Sequence, residues 1–150
     1  MSKQRYVRKF VYKGVRMYIP DTDADLQMHK EIVEVLEAFV SKLPAIDFAS
    51  VVSLEGLPIS SWPPKLPGDL DDVRIAAMTA AILSLGERAV METGKGEMTR
   101  ILVEGNDGYL ISVQSGSKAV LTASANRSVK LGLIFLDMKQ AAKKVGEILG

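Results

Sequence analysis

The stretch from Arg100 to Ser124, RILVEGNDGYLISVQSGSKAVLTAS, constrains the fold more than any other part of the chain. Asn106-Asp107-Gly108 and Gly116-Ser117 are strong short-turn signals, and the segments between them are rich in Val, Ile, Leu and Tyr. Three strands are expected, at about Glu97 to Glu104, Tyr109 to Ser115 and Lys118 to Ser124. Turns this short impose antiparallel pairing, so the three form a meander. Clean in-out alternation is missing, which predicts a sheet covered on both faces despite its antiparallel connections.

Helices must supply that cover. Asp21, Thr22 and Asp23 are N-cap candidates for a first helix, in which Leu26, Ile32, Val33, Leu36, Phe39, Val40 and Leu43 recur at three- and four-residue spacing until Pro44 stops it. Ile46 to Leu54 and Leu57 to Trp62 flank Glu55-Gly56 and read as a hairpin. The proline-rich run Trp62 to Gly68 must then be a loop. Asp69, Asp71 and Asp72 place carboxylates at the start of a second helix, about Asp71 to Glu92, where capping and the helix dipole favour them.

That second helix is apolar on two sides. At 100° per residue, Ile75, Met78, Ile82, Leu85 and Ala89 form a bulky face expected to pack on the sheet. Val73, Ala76, Ala77, Ala80 and Ser84 form a face of small residues suited to the close approach of another helix. A last helix, capped by Asn126 or Ser128 and running to about Leu149, has Leu131, Ile134, Met138, Ala141, Ala142 and Val145 on its core side. Val129, Leu133 and Leu136 lie away from that side, as a stripe that either binds a partner or receives the N-terminal arm, the arm being favoured.

Residues 1 to 20 form the arm, with domain 21 to 150 behind it. Lys3, Arg5, Arg8, Lys9, Lys13 and Arg16 make the arm +6, while the remainder carries 13 basic and 18 acidic side chains. The alternation from Tyr6 to Ile19 around Lys13-Gly14 predicts a hairpin lying against the acidic body. The mixture of aromatics and cations is also compatible with RNA or an anionic membrane surface.

Few chemistries fit the side-chain inventory. There is no cysteine and one histidine, His29, so thiolate chemistry and a thiolate zinc site are excluded and no catalytic residue, cofactor or metal is assigned. Gly94-Lys95-Gly96 lacks phosphate-loop spacing, and Ser115-Gly116-Ser117 lacks the nucleophile-elbow frame. Arg88 and Arg100 are read as solvated or paired surface residues rather than as arginine fingers. The N-terminus contains no apolar stretch long enough for a signal-peptide core, and a cytoplasmic setting is expected.

The order VVSLEGLPISSW, an alanine-rich helix ending LGERAV, the meander RILVEGNDGYLISVQSGSKAVLTASA and a final helix containing LGLIF resembles the roadblock / dynein light-chain family over about residues 28 to 149. The resemblance implies an α+β, three-layer fold: a five-stranded antiparallel sheet with one helix on one face and two on the other. It further implies a dimer, homo- or heteromeric, in which third-strand edges and second helices meet, an interface expected to use Val73, Ala76, Ala77, Ala80, Ser84, Arg100 and Leu102. Members of this family scaffold or regulate small Ras-like GTPases or serve as dynein adaptor chains. A GTPase is the expected client; nucleic-acid or anionic-surface binding through the arm is the alternative.

Overall fold

The computed structural model describes residues 7–20 and 22–150. Two strands, β1 (Val7–Tyr12) and β2 (Val15–Pro20), form the expected hairpin, with Lys13 and Gly14 at φ 50° and 79° in its turn. Positive φ at both turn positions is the twist that a two-residue hairpin requires, and glycine meets it without cost. Helix α1 (Asp23–Lys42) follows, capped by Thr22, whose hydroxyl accepts from the Asp25 amide. Asp21, one of the cap candidates, lies outside the described residues, as do Lys3 and Arg5.

The body continues with β3 (Ile46–Ser53), β4 (Pro58–Trp62), α2 (Asp72–Glu92), β5 (Ile101–Gly105), β6 (Gly108–Ser115), β7 (Ala119–Asn126) and α3 (Leu131–Leu149). The sheet order is β4-β3-β7-β6-β5, antiparallel throughout. The meander is present, and the β3–β4 hairpin joins it by pairing β3 with β7, Ser50 opposite Thr122 and Val51 opposite Leu121. Strand β5 begins at Ile101 rather than near Glu97, because residues 93 to 100 are used to leave α2 through Gly94 and Gly96, both at positive φ.

Alternation along β7 shows how the layers divide. Ala119, Leu121, Ala123 and Ala125 share one core with Ile32, Leu36 and Phe39 of α1 and with Ile134, Met138 and Val145 of α3. Thr122 points the other way and hydrogen-bonds Thr79 of α2. Helix α2 thus covers one face, and α1 and α3 the other, as the unpatterned strands required. The expected core side of α3 is buried, with Leu131 half-buried at its edge.

Two local expectations change. The N-cap of α3 is Lys130, which makes no side-chain cap bond; Asn126 Oδ1 instead accepts from the Ser128 amide, in the turn carrying the chain from β7 to the helix. Among the described residues the arm rests on α1, not on α3. Val15 is buried against Val33, Leu26 and Trp62, Tyr12 Oη donates to Glu34 Oε1 at 2.6 Å, and Lys13 Nζ donates to Glu37 Oε2 at 2.6 Å. Helix α1 attracts the hairpin because it offers an apolar residue flanked by carboxylates, whereas α3 offers lysines.

Candidate interaction surfaces

Asp71 caps α2, its Oδ1 accepting from the Arg74 amide at 2.7 Å. That start fixes which helix positions look inward. Ile75, Ala76, Thr79 and Leu83 are buried, with Ile82 and Gly86 beside them. The inward face is therefore rotated by roughly a quarter turn from the bulky face expected. Met78, Leu85 and Ala89 do not pack on the sheet; Leu85 is 71% exposed.

Small and polar side chains dock α2 alongside the buried Ile75 and Leu83. Thr79 Oγ1 lies 3.2 Å from Thr122 Oγ1, which lies 2.7 Å from Ser112 Oγ, a buried hydroxyl chain that holds helix to sheet. At Gly86 a Cβ would fall 2.7 Å from Ile101 Cδ1 and 3.0 Å from Met98 Sδ, so the glycine lets these side chains sit close against α2. Ala76 is fully buried inside its own chain, and Ala80 is half-buried against the β3–β4 turn, its Cβ 3.2 Å from where a Gly56 Cβ would stand. Two of the residues expected at a helix–helix contact thus pack within their own chain, Ala76 beneath the helix and Ala80 on the β3–β4 turn.

The outward face of α2 carries Val73, Ala77, Ala81, Ser84, Leu85 and Arg88, all exposed. Val73, Ala77 and Ser84 were expected on this face; Ala81 and Leu85 share it without having been expected there. Gly86 was the available signal, since a glycine inside a helix marks a side under close approach. Beside this face lies the free edge of β5, with Val103 45% exposed on the α2 side. Arg100 and Leu102 face away from it. The Arg100 guanidinium sits 4.1 Å from the Phe135 ring centroid on α3, a cation–π contact, and Leu102 packs on the core shared by α1 and α3.

A second apolar surface is on α3. Leu133 and Leu136 are about half exposed, while Val129, expected in the same stripe, is buried in the main core. It enters the core because it precedes the helix, where the turn after β7 points it inward.

The remaining candidates have local roles. His29 Nδ1 lies 2.8 Å from the Asp25 carbonyl oxygen, one turn back in α1. Arg88 pairs with Glu92 at 2.9 Å on the same exposed helix surface. Among the described residues no three His, Asp or Glu side chains converge as metal ligands, and no helix is long and apolar enough to cross a membrane.

Comparisons with known proteins agree with this architecture. The Roadblock/LC7 domain model matches residues 32–125. Two proteins of Methanocaldococcus jannaschii, MJ1340 and MJ0310, are each 34% identical over 106 residues, spanning 71% of this chain and 90% of theirs. Among solved structures, gliding protein MglB from Thermus thermophilus superposes with a TM-score of 0.70 at 21% identity, over 81% of this chain and 90% of that one. The Roadblock/LC7 domain from Streptomyces avermitilis gives 0.69 at 24% identity, over 77% and 95%. The sheet order, the two-sided helix cover and these matches lead to one conclusion: the chain belongs to the Roadblock/LC7 domain family.

Proposed function

We propose that the protein is a non-enzymatic interaction module that dimerises through α2 and the β5 edge and scaffolds or regulates a small Ras-like GTPase. The observation that carries the reading is the apolar, small-residue seam of α2 lying next to an open strand edge. Val73 and Leu85 are 63% and 71% exposed, and Ala77, Ala81 and Ser84 between them would let a second helix approach closely. An unpaired edge strand is a template for pairing, so one contact with a second copy would extend the sheet and cover the seam together. A protein with a similar fold, MglB, has been solved in a tetrameric arrangement. The GTPase as client rests on the family resemblance, and Leu133 and Leu136 of α3 offer an apolar surface for it that is distinct from the dimer seam.

The reading in which the basic arm grips nucleic acid or an anionic surface has less support, because Lys13 is engaged with Glu37 and the hairpin lies on its own α1. Light scattering on the purified protein, alone and with small GTPases loaded with GDP or a GTP analogue, tests the proposal. A dimer that retains the GTP form supports it; a monomer, or a dimer indifferent to every GTPase, counts against it. Polyanion binding that weakens steeply with salt would favour the arm.

A further inference from the structure

Strand β5 is a charge palindrome. From Arg100, the residue just ahead of the strand, to Glu104 the order is cation, isoleucine, leucine, valine, carboxylate. A copy turned end for end, as antiparallel pairing requires, can set its carboxylate on the cation and its leucine on the leucine. The strand is last in the sheet order, with β6 on one side and an open edge on the other.

The backbone fixes which residues can reach across that edge. The two-residue turn at Asn106-Asp107 makes Gly105 and Gly108 a hydrogen-bonded pair, so Gly105, Val103 and Ile101 direct their N–H and C=O groups at β6. The alternate residues, Leu102 and Glu104, direct theirs outward. Their side chains share the α1/α3 face with Arg100. Arg100 lies over the Phe135 ring, Leu102 packs on the core, and Glu104 Oε2 accepts from Arg127 Nη1 at 3.1 Å. These contacts steady both charges beside the edge while leaving them exposed. Ile101, against Gly86, and Val103 occupy the α2 face.

Outward-directed groups must meet outward-directed groups, which places a two-fold axis at Ile101, Leu102 or Val103 and not between residues. With the axis at Val103, Leu102 opposes Glu104 of the second copy; at Ile101, it opposes Arg100. Each sets an apolar side chain against a charge. With the axis at Leu102, Arg100 opposes Glu104 at both ends, leucine opposes leucine, and Ile101 opposes Val103 on the α2 face. We infer that β5 pairs with β5 of a second copy in this last register, closed by two Arg100–Glu104 ion pairs, and that the pairing selects this chain as its own partner. The inference rests on the proposed dimer and adds its register and its homomeric character. Selectivity is the main effect of the charges: an opposite-charge cross-strand pair helps modestly, a like-charge pair opposes association, and the two-fold axis doubles either.

Charge reversal tests the register, by sedimentation equilibrium of the full chain at low salt, where exposed ion pairs are least screened. Arg100→Glu and Glu104→Arg should each weaken self-association roughly ten- to hundredfold while keeping the circular dichroism spectrum. An equimolar mixture of the two variants should associate within about threefold of the wild type, because one copy then brings both carboxylates and the other both cations. The double variant Arg100→Glu/Glu104→Arg should self-associate to the same extent. Single variants that dimerise like the wild type would overturn the register, and so would a mixture and a double variant that stay as weak as the single variants. A wild-type chain that is monomeric would instead overturn the proposed dimer itself, and this inference with it.

Discussion

Gly146 of α3 rides directly on Gly116 of the β6–β7 turn: a Cβ on Gly146 would stand 2.9 Å from the Gly116 amide nitrogen and 3.0 Å from its Cα. Both neighbours are backbone, so neither can swing aside. Gly146→Ala should therefore cost about 1–3 kcal/mol through overpacking, seen as a lower urea midpoint with an unchanged slope. Gly132, in the first turn of the same helix, has open space around it. Gly132→Ala should instead gain up to about 1 kcal/mol from helix propensity, and equal effects at the two sites would contradict the contact.

The chain of hydroxyls from Thr79 through Thr122 to Ser112 predicts a non-additive mutant series. Thr122→Val strands two buried hydroxyls and should cost about 1–3 kcal/mol. Replacing all three, with Thr79→Val and Ser112→Ala added, should recover part of that loss. Ser60→Ala should move the other way, gaining about 1 kcal/mol, since it removes a buried polar atom that has no hydrogen-bond partner among the described residues.

Position on α2 separates association from folding. Leu85→Glu places a charge on the exposed seam and should weaken self-association at least about tenfold, with the circular dichroism spectrum and melting temperature retained. Ala80→Glu must also displace the β3–β4 turn at Gly56, so it should lower stability. Unchanged dimer mass for Leu85→Glu in light scattering would remove α2 from the interface.

Docking of the hairpin should weaken at high pH. The Tyr12 phenol is held above its ordinary 10.0 by donating to Glu34, and the Lys13 ammonium above its ordinary 10.5 by donating to Glu37. Both groups bind their protons more tightly when docked, so their stabilisation is full below those ordinary values and is lost as pH rises through the docked ones. Trp62, the single tryptophan, packs on the same cluster as Val15 and reports the change. Its fluorescence should shift above about pH 10 while the far-ultraviolet signal of the body persists. Deleting residues 1–20 should leave a folded body with Trp62 already in the shifted state; loss of cooperative unfolding would make the hairpin part of the core.

The element order was legible in the chain because it is written in local terms. The NDG and GS turns set the meander, Thr22 and Asp71 cap their helices, and positive φ at Lys13 and Gly14 turns the hairpin. The two-sided sheet followed from strands without alternation, and the core side of α3 from its spacing alone.

Which face of α2 looks inward was not legible, since periodicity reports where apolar residues lie and this helix is apolar on two sides. The decision rests on contacts between residues far apart in sequence: Thr79 with Thr122, Gly86 against Ile101, Ala80 on Gly56. The same holds for Val15 on Val33. By itself the sequence determined the elements, their order and their antiparallel pairing, because turns, caps and short-range spacing are local. The tertiary structure decided which surfaces remain available to partners, because that depends on which side chains let a helix come closest to the sheet.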